Sequence, residues 1–296
     1  MPRSWYDSDA GALGREIDGW MAAAAGECQA VAENRRVAAV IAPHAGYSYS
    51  GPTAAYAYAA LLKQVRPKRV FLLGPSHYKY MEDTCALTAA SRYATPVGDL
   101  VVDADVRASL AATGAFGSMD MDTDETEHSL ELHCPYIARA LAHVDGGVTL
   151  VPVLVGSLSV AAEARYGAIF APYLDDPDNV FVISSDFCHW GSRFSYQYVP
   201  RGWKDESRIY EAIETLDREG MRLIEAQDAA GFTAYLKDTG NTVCGRFPIG
   251  VLLQALKHAS QRYGVVFTRY AQSGPVTHRS KSSVSYASAL VTTTAQ

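Results

Sequence analysis

Short apolar runs recur along the chain: Val37 to Ile41, Val70 to Leu73, Val148 to Val155 and Asn179 to Ser184, most bounded by Gly, Pro, Asp or Asn. Runs of this length with turn residues at their ends suit buried β-strands. Helical periodicity fills the spaces between them. Leu13, Ile17, Trp20 and Met21 share one helical face, with Trp5 and Tyr6 just ahead of it. After the first strand, an Ala- and Tyr-rich segment predicts a helix to about Val65, which Arg66-Pro67-Lys68 breaks. Strand, helix and strand in this order form a βαβ unit, so the first two strands are expected to be parallel neighbours with their C-terminal ends on one edge.

Further on, Cys85 to Ala89 reads as a strand and Tyr93 to Asp99 as an extended turn, while Asp103 is placed to cap a helix to about Thr113. The acidic stretch D-M-D-T-D-E-T-E-H-S-L-E-L-H opens a helix expected to end near His143. Ala161 to Leu174 is helical, three or four helices fill Trp203 to Tyr263, and strands at Val265 to Ala271 and Val284 to Val291 close the chain. No repeat, linker or low-complexity segment divides it, so residues 1–296 are expected to form one α/β domain.

Composition narrows the function. With 48% hydrophobic residues and 20% charged, the 296-residue chain has an ordinary globular balance. Its net charge of −6 comes without a basic stripe, so nucleic acid is not an expected partner. No apolar run approaches the roughly 20 residues of a membrane span, and no secretory leader is evident. Five cysteines without paired spacing point to a reducing compartment, the cytoplasm.

The candidate chemistry sits in loops that follow strands or precede helices. His44 and His77 end the first two strands, Asp186 and His189 follow the Asn179 strand, and Cys244 precedes a helix starting near Pro248. Strand ends of this kind are where α/β sheets hold ligands. Two imidazoles and a thiol would make a three-ligand metal site with open positions. Each also has a plain structural reading: a hydrogen-bonded histidine, a buried cysteine, a carboxylate bonding backbone amides. Beside a helix N-terminus and Arg246, the Cys244 thiol is expected to have a lowered pKa. Asp186 and His189, three apart, suit an acid/base pair in which the carboxylate fixes the imidazole tautomer. Ser184 and Ser185 lack a G-x-S-x-G elbow, which weakens a serine hydrolase reading. A thiol hydrolase using Cys244 with His189 stands as another option. His128 and Glu131, three apart on one helix face, either line the same cavity or belong to a solvated acidic helix start; the segment is not H-E-x-x-H.

Eight ordered motifs carry a family resemblance: S-W-Y at Ser4, I-A-P-H-A-G-Y-S-Y-S-G, L-G-P-S-H, D-E-T-E-H-S-L-E-L-H, V-P-V-L-V-G, S-S-D-F-C-H-W-G, T-V-C-G-R-F-P-I-G-V and S-S-V-S-Y-A. Together they resemble the Memo family, which mediates cell motility driven by receptor tyrosine kinases. S-W-Y comes with fewer residues before it than relatives usually carry. The resemblance implies a three-layer α/β domain with a central mixed sheet, similar to the catalytic subunit of the extradiol ring-cleaving dioxygenases that use non-haem iron. It implies His44 and His77 as histidine ligands, His189 at the acid/base position and Cys244 where those enzymes have a carboxylate. A thiolate there softens the site toward reduced copper, with ferrous iron second, and speaks against ring cleavage. The resemblance also implies a phosphotyrosine-peptide site over the same pocket, with Trp5 and Tyr49 as aromatic neighbours.

Overall fold

The computed structural model describes residues 5–32, 35–64 and 66–294. Ser4 of the first motif and Val65, the expected end of the second helix, lie outside the described residues. The strands are β1 (Val37–Ala42), β2 (Arg69–Pro75), β3 (Cys85–Thr88), β4 (Arg92–Tyr93), β5 (Leu100–Val102), β6 (Phe116–Met119), β7 (Thr149–Val155), β8 (Asn179–Ser184), β9 (His189–Trp190), β10 (Tyr263–Gln272) and β11 (Ser283–Thr293). The helices are α1 (Ala10–Val31), α2 (Tyr47–Tyr58), α3 (Leu61–Gln64), α4 (Ala104–Ala112), α5 (Met121–Thr126), α6 (His128–Glu131), α7 (Cys134–Ala140), α8 (Val160–Asp175), α9 (Ile209–Glu225), α10 (Ala229–Thr239) and α11 (Arg246–His258).

The main path of the sheet runs β10-β11-β1-β8-β2-β7-β3-β6, mixed in direction. β1, β8, β2 and β7 are parallel, with antiparallel pairing where β11 meets β1 and where β3 meets β7. The expectation that β1 and β2 are neighbours is corrected here: β8 lies between them, pairing with Val40 on one side and Phe71 on the other. The β1-to-β2 crossover leaves a gap one strand wide. The wholly buried Asn-Val-Phe-Val-Ile-Ser run of β8 has the apolar character to fill it, because a central parallel strand is covered on both faces. Three C-terminal strand ends, not two, therefore share one edge.

Both faces of the sheet are covered, as three layers require. Leu13, Ile17 and Met21 of α1 pack with α2, α3 and α7 on one face, against Val40 and Val182. Phe170 of α8, Ile213 of α9, Phe232 of α10 and Leu252 of α11 cover the other, against Ile41 and Ile183. Each large apolar side chain so buried contributes on the order of 2 kcal/mol. Asp9 caps α1 through Ala12 N, and Asp103 caps α4 through Val106 N as its position predicts.

The single helix expected from the acidic stretch to His143 is instead three short pieces, α5, α6 and α7. Glu127 breaks the run: its backbone is extended (φ −80°, ψ 114°) and its side chain accepts from Ser129 N to start α6. Pro135 then sits in the first turn of α7, where a missing N–H costs nothing. The expected turn at Tyr93 to Asp99 is flanked by β4 and β5, which pair with each other. β6 and β9 are too short to stand out in the sequence pattern.

Candidate metal centre

The loops leaving β1, β8 and β2 bring His44, Asp186, His189 and His77 to one edge of the sheet. Cys244 arrives from the loop before α11. Two glycines permit this convergence. A Cβ on Gly245 would lie 2.3 Å from Ser184 O and from Ser185 Cβ, so only glycine lets the Cys244 loop meet the end of β8. A Cβ on Gly74 would lie 2.6 Å from Ser129 Oγ, so glycine also seats α6 against β2.

Hydrogen bonds fix the tautomer of each ligand-bearing ring. The Ser184 hydroxyl donates to Ser129 O (2.7 Å), so its oxygen can only accept from His44 Nδ1, 2.6 Å away. His44 therefore carries its proton on Nδ1 and turns a bare Nε2 toward Cys244 Sγ at 3.2 Å. Glu127 does the same for His77. It accepts from His77 N (2.7 Å), from His77 Nδ1 (2.8 Å) and from Ser129 N (2.9 Å), leaving His77 Nε2 as the free nitrogen. Carboxylate-to-imidazole support of this kind typically stands behind metal-binding histidines. One ligand atom from each of His44, His77 and Cys244 lies within 4.8 Å of the others. A second grouping, His77 with Glu127 and His128, meets the same distance.

Electrostatics keep the imidazoles available. Burial holds the His44 pKa well below its usual value, and the neighbouring His77, His128, His133 and His189 lower it further, so the ring is neutral. Hydrogen bonds from His77 and the Ser129 amide hold the Glu127 carboxyl below the usual range in spite of its burial, so it stays an acceptor. The expected lowering of the Cys244 pKa is corrected. Burial pushes the thiol up, and the Asp186 charge adds to that; the Arg246 guanidinium is turned away, over the Phe247 ring. A protonated thiol in this position donates to His44 Nε2.

Asp186 and His189 do not form the expected hydrogen-bonded pair. Asp186 accepts from His44 N (2.9 Å), holding the β1 loop, and its own N–H donates to Cys244 Sγ (3.2 Å). His189 Nδ1 lies 2.9 Å from Phe187 O and 3.2 Å from Thr242 O, both acceptors, so its proton is on Nδ1 and Nε2 is the basic atom. Backbone carbonyls set that tautomer in place of a carboxylate. The imidazole touching Cys244 is His44, which does not suit the Cys244/His189 hydrolase option. Ser184 and Ser185 are occupied, the first as described and the second donating to Asp186 O.

The rim is aromatic. Trp5 stacks on His128 with ring centroids 5.1 Å apart and planes 2° from parallel, and His128 stacks on His77 at 4.4 Å. Tyr6 donates to Glu131 Oε1 at 2.9 Å. His128 and Glu131 thus bind the two adjacent residues of one N-terminal segment, and only His128 reaches the histidine cluster. Tyr49, in the first turn of α2, is 62% exposed. Next to this rim, Tyr6, Tyr93, Asp124 and Glu131 line an open cavity of about 660 Å³.

A family model described as Memo-like protein matches residues 3–290. The chain belongs to the Memo family. Among Memo-family relatives, the protein named MEMO1 from Xenopus laevis is 47% identical over 291 residues, covering 96% of this chain and 93% of its own. MEMO1 from Homo sapiens is 44% identical over 295 residues, covering 98% and 95%. The memo-1 homolog of Caenorhabditis elegans is 44% identical over 292 residues, covering 97% of this chain and 80% of its own. A crystal structure of an uncharacterized protein from Escherichia coli K12 aligns with 83% of this Memo-family chain and 98% of its own, at 13% identity and a TM-score of 0.45.

Glu127, Ser184 as a histidine partner, and Thr242 are the site residues that sequence reasoning missed. Nothing local marks Glu127 as the partner of a histidine 50 positions earlier.

Proposed function

We propose that this Memo-family protein binds a soft transition-metal ion through His44 Nε2, His77 Nε2 and Cys244 Sγ, reduced copper by preference and ferrous iron second. The observation that carries this reading is the locked tautomer of both imidazoles: Ser184 and Glu127 each accept a hydrogen bond from Nδ1–H, so two bare nitrogens face one thiol. Soft sulfur with two imidazoles favours Cu(I) and tolerates Fe(II). Binding requires the Cys244 thiol to lose its proton, and His189 Nε2, in the neighbouring loop, is a base suited to protons moved in the pocket. The bound metal would supply one-electron redox chemistry. The chain's own residues orient the ligands. Ring cleavage is not part of the proposal, since a thiol stands where a carboxylate would be needed.

The proposed compartment is the cytoplasm. All five cysteines are free, which suits a reducing environment, and among the described residues no helix is long and apolar enough to cross a membrane.

Anaerobic loading with Cu(I) or Fe(II), followed by metal analysis, tests the site. Wild type is expected to hold one equivalent and Cys244→Ser much less; equal stoichiometry in the two proteins overturns the assignment.

A second reading, an adaptor for phosphotyrosine peptides on a non-catalytic pocket, is favoured by the rim, where Trp5 and the exposed Tyr49 offer stacking surfaces. Arg246, the arginine nearest Cys244 in sequence, is turned onto Phe247, so the phosphate would rely on imidazoles. Calorimetry with a phosphotyrosine peptide against metal-free and metal-loaded protein decides this reading; no heat in either state removes it.

A further inference from the structure

Asp217, on α9, is completely buried although it lies outside the histidine cluster and no Lys or Arg is hydrogen-bonded to it. Its Oδ1 accepts from Cys188 N (3.2 Å) and from Asn241 Nδ2 (3.0 Å). Its Oδ2 accepts from the Tyr270 hydroxyl (2.9 Å) on β10. Cys188 immediately precedes His189, and Asn241 lies three residues before Cys244. One oxygen atom is therefore where the two loops that deliver His189 and Cys244 converge. Beyond that point the loops are laced together. His189 N donates to Thr242 Oγ1 (2.7 Å), and Thr242 Oγ1 donates back to His189 O (3.1 Å). From the other side, Ser285 of β11 clamps the first loop through Phe187 N to Ser285 O (2.8 Å) and Ser285 N to Cys188 O (2.9 Å).

A carboxylate at such a place is not explained by packing. Burial pushes its pKa up to about 6, so the ionised form is held at a cost that an apolar side chain of similar volume would avoid. What a carboxylate supplies, and an apolar residue cannot, is an oxygen that accepts from a backbone amide of one loop and a side-chain amide of the other at once.

We infer that Asp217 is a positioning residue for the metal centre: by holding Cys188 and Asn241 on one oxygen, it sets Cys244 and His189 in register with His44 and His77. The inference rests on the proposed metal reading for its metal arm only, because loop position also governs how accessible Cys244 is without metal.

The test uses full-length protein with Asp217→Ala, Asn241→Ala and Tyr270→Phe, compared at a temperature where circular dichroism shows each folded. Tyr270→Phe removes the hydroxyl bonded to Oδ2 and leaves both donors to Oδ1 in place, so it reports the general effect of disturbing the network. Two quantities are measured: the rate of iodoacetamide alkylation at Cys244 in metal-free protein, located by peptide mass mapping, and Cu(I) affinity under anaerobic competition with a chromophoric chelator. Asp217→Ala and Asn241→Ala are expected to speed alkylation of Cys244 roughly tenfold and to weaken Cu(I) binding roughly 10- to 100-fold, the usual range for residues that orient ligands. Tyr270→Phe is expected to leave both unchanged. Alkylation at the wild-type rate in a folded Asp217→Ala or Asn241→Ala overturns the inference, as does an equal effect of Tyr270→Phe. If Asp217→Ala does not fold, Asn241→Ala decides. If wild type itself holds no Cu(I), the metal reading falls while alkylation still decides the role of Asp217.

Discussion

The buried carboxylate of Asp217 leads to a prediction about stability and pH. Its ordinary value is 3.8, and burial raises it to about 6, against the opposing hydrogen bonds of Asn241, Ser285, Tyr270 and the Cys188 amide. The folded protein therefore keeps this proton over a pH window in which the unfolded chain has lost it. A group whose pKa is raised on folding contributes stability that is full below the unfolded value and disappears as pH climbs through the folded value. The difference between 3.8 and about 6 corresponds to roughly 3 kcal/mol. Urea unfolding of wild type and Asp217→Asn, followed by fluorescence from about pH 4 to about pH 7, isolates the term, because every other titrating group is common to both. Wild type is expected to lose roughly 3 kcal/mol relative to the variant across that interval, with no further divergence above it. Profiles that run parallel from end to end would refute the reasoning, since they would mean that Asp217 ionises alike in the folded and unfolded states.

Other outcomes follow from the same geometry. Glu127→Gln places an amide NH2 where one carboxylate oxygen now accepts from His77, so two donors face each other; a loss of about 1–3 kcal/mol in stability and of roughly 10- to 100-fold in Cu(I) affinity is expected, read by urea titration and chelator competition. Gly245→Ala forces a Cβ into contact with Ser184 O and Ser185, so the Cys244 loop must move; metal stoichiometry measured anaerobically is expected to fall while far-ultraviolet circular dichroism stays unchanged. Ile17→Ala empties a fully buried position in α1, and thermal unfolding is expected to show a cost of about 2–5 kcal/mol without change in metal binding.

Much of the layer architecture was legible because buried strands and amphipathic helices carry their own periods. The strand at Asn179 to Ser184 is found with the bounds its apolar run predicts, and Asp103 caps its helix where an acidic residue ahead of an apolar pattern should. Strand order was not legible. Nothing in β1 or β2 says that a third strand from 100 residues later fits between them, since adjacency is a property of how crossovers pack and not of local sequence. The three candidate ligands were legible as residue types at element ends, and they do converge. Their tautomers depend on Ser184 and Glu127, whose partners are distant in the chain. The direction of the Cys244 pKa was misjudged for a related reason: helix start and adjacent arginine are visible in sequence, whereas burial and the rotation of Arg246 onto Phe247 are not.

The place of β8 bears on how the chain is made. β1 and β2 leave the ribosome well before the strand that lies between them, and until Asn179 to Ser184 emerges each has an unpaired edge of backbone donors and acceptors. Exposed apolar edges of that kind are where nascent chains associate wrongly. Insertion of β8 closes the seam and in the same movement carries Ser184 to His44 and Asp186 to the β1 loop. A nascent chain ending before β8 consequently has neither a closed sheet nor an oriented His44, so the proposed metal centre can form only after the middle strand has been translated.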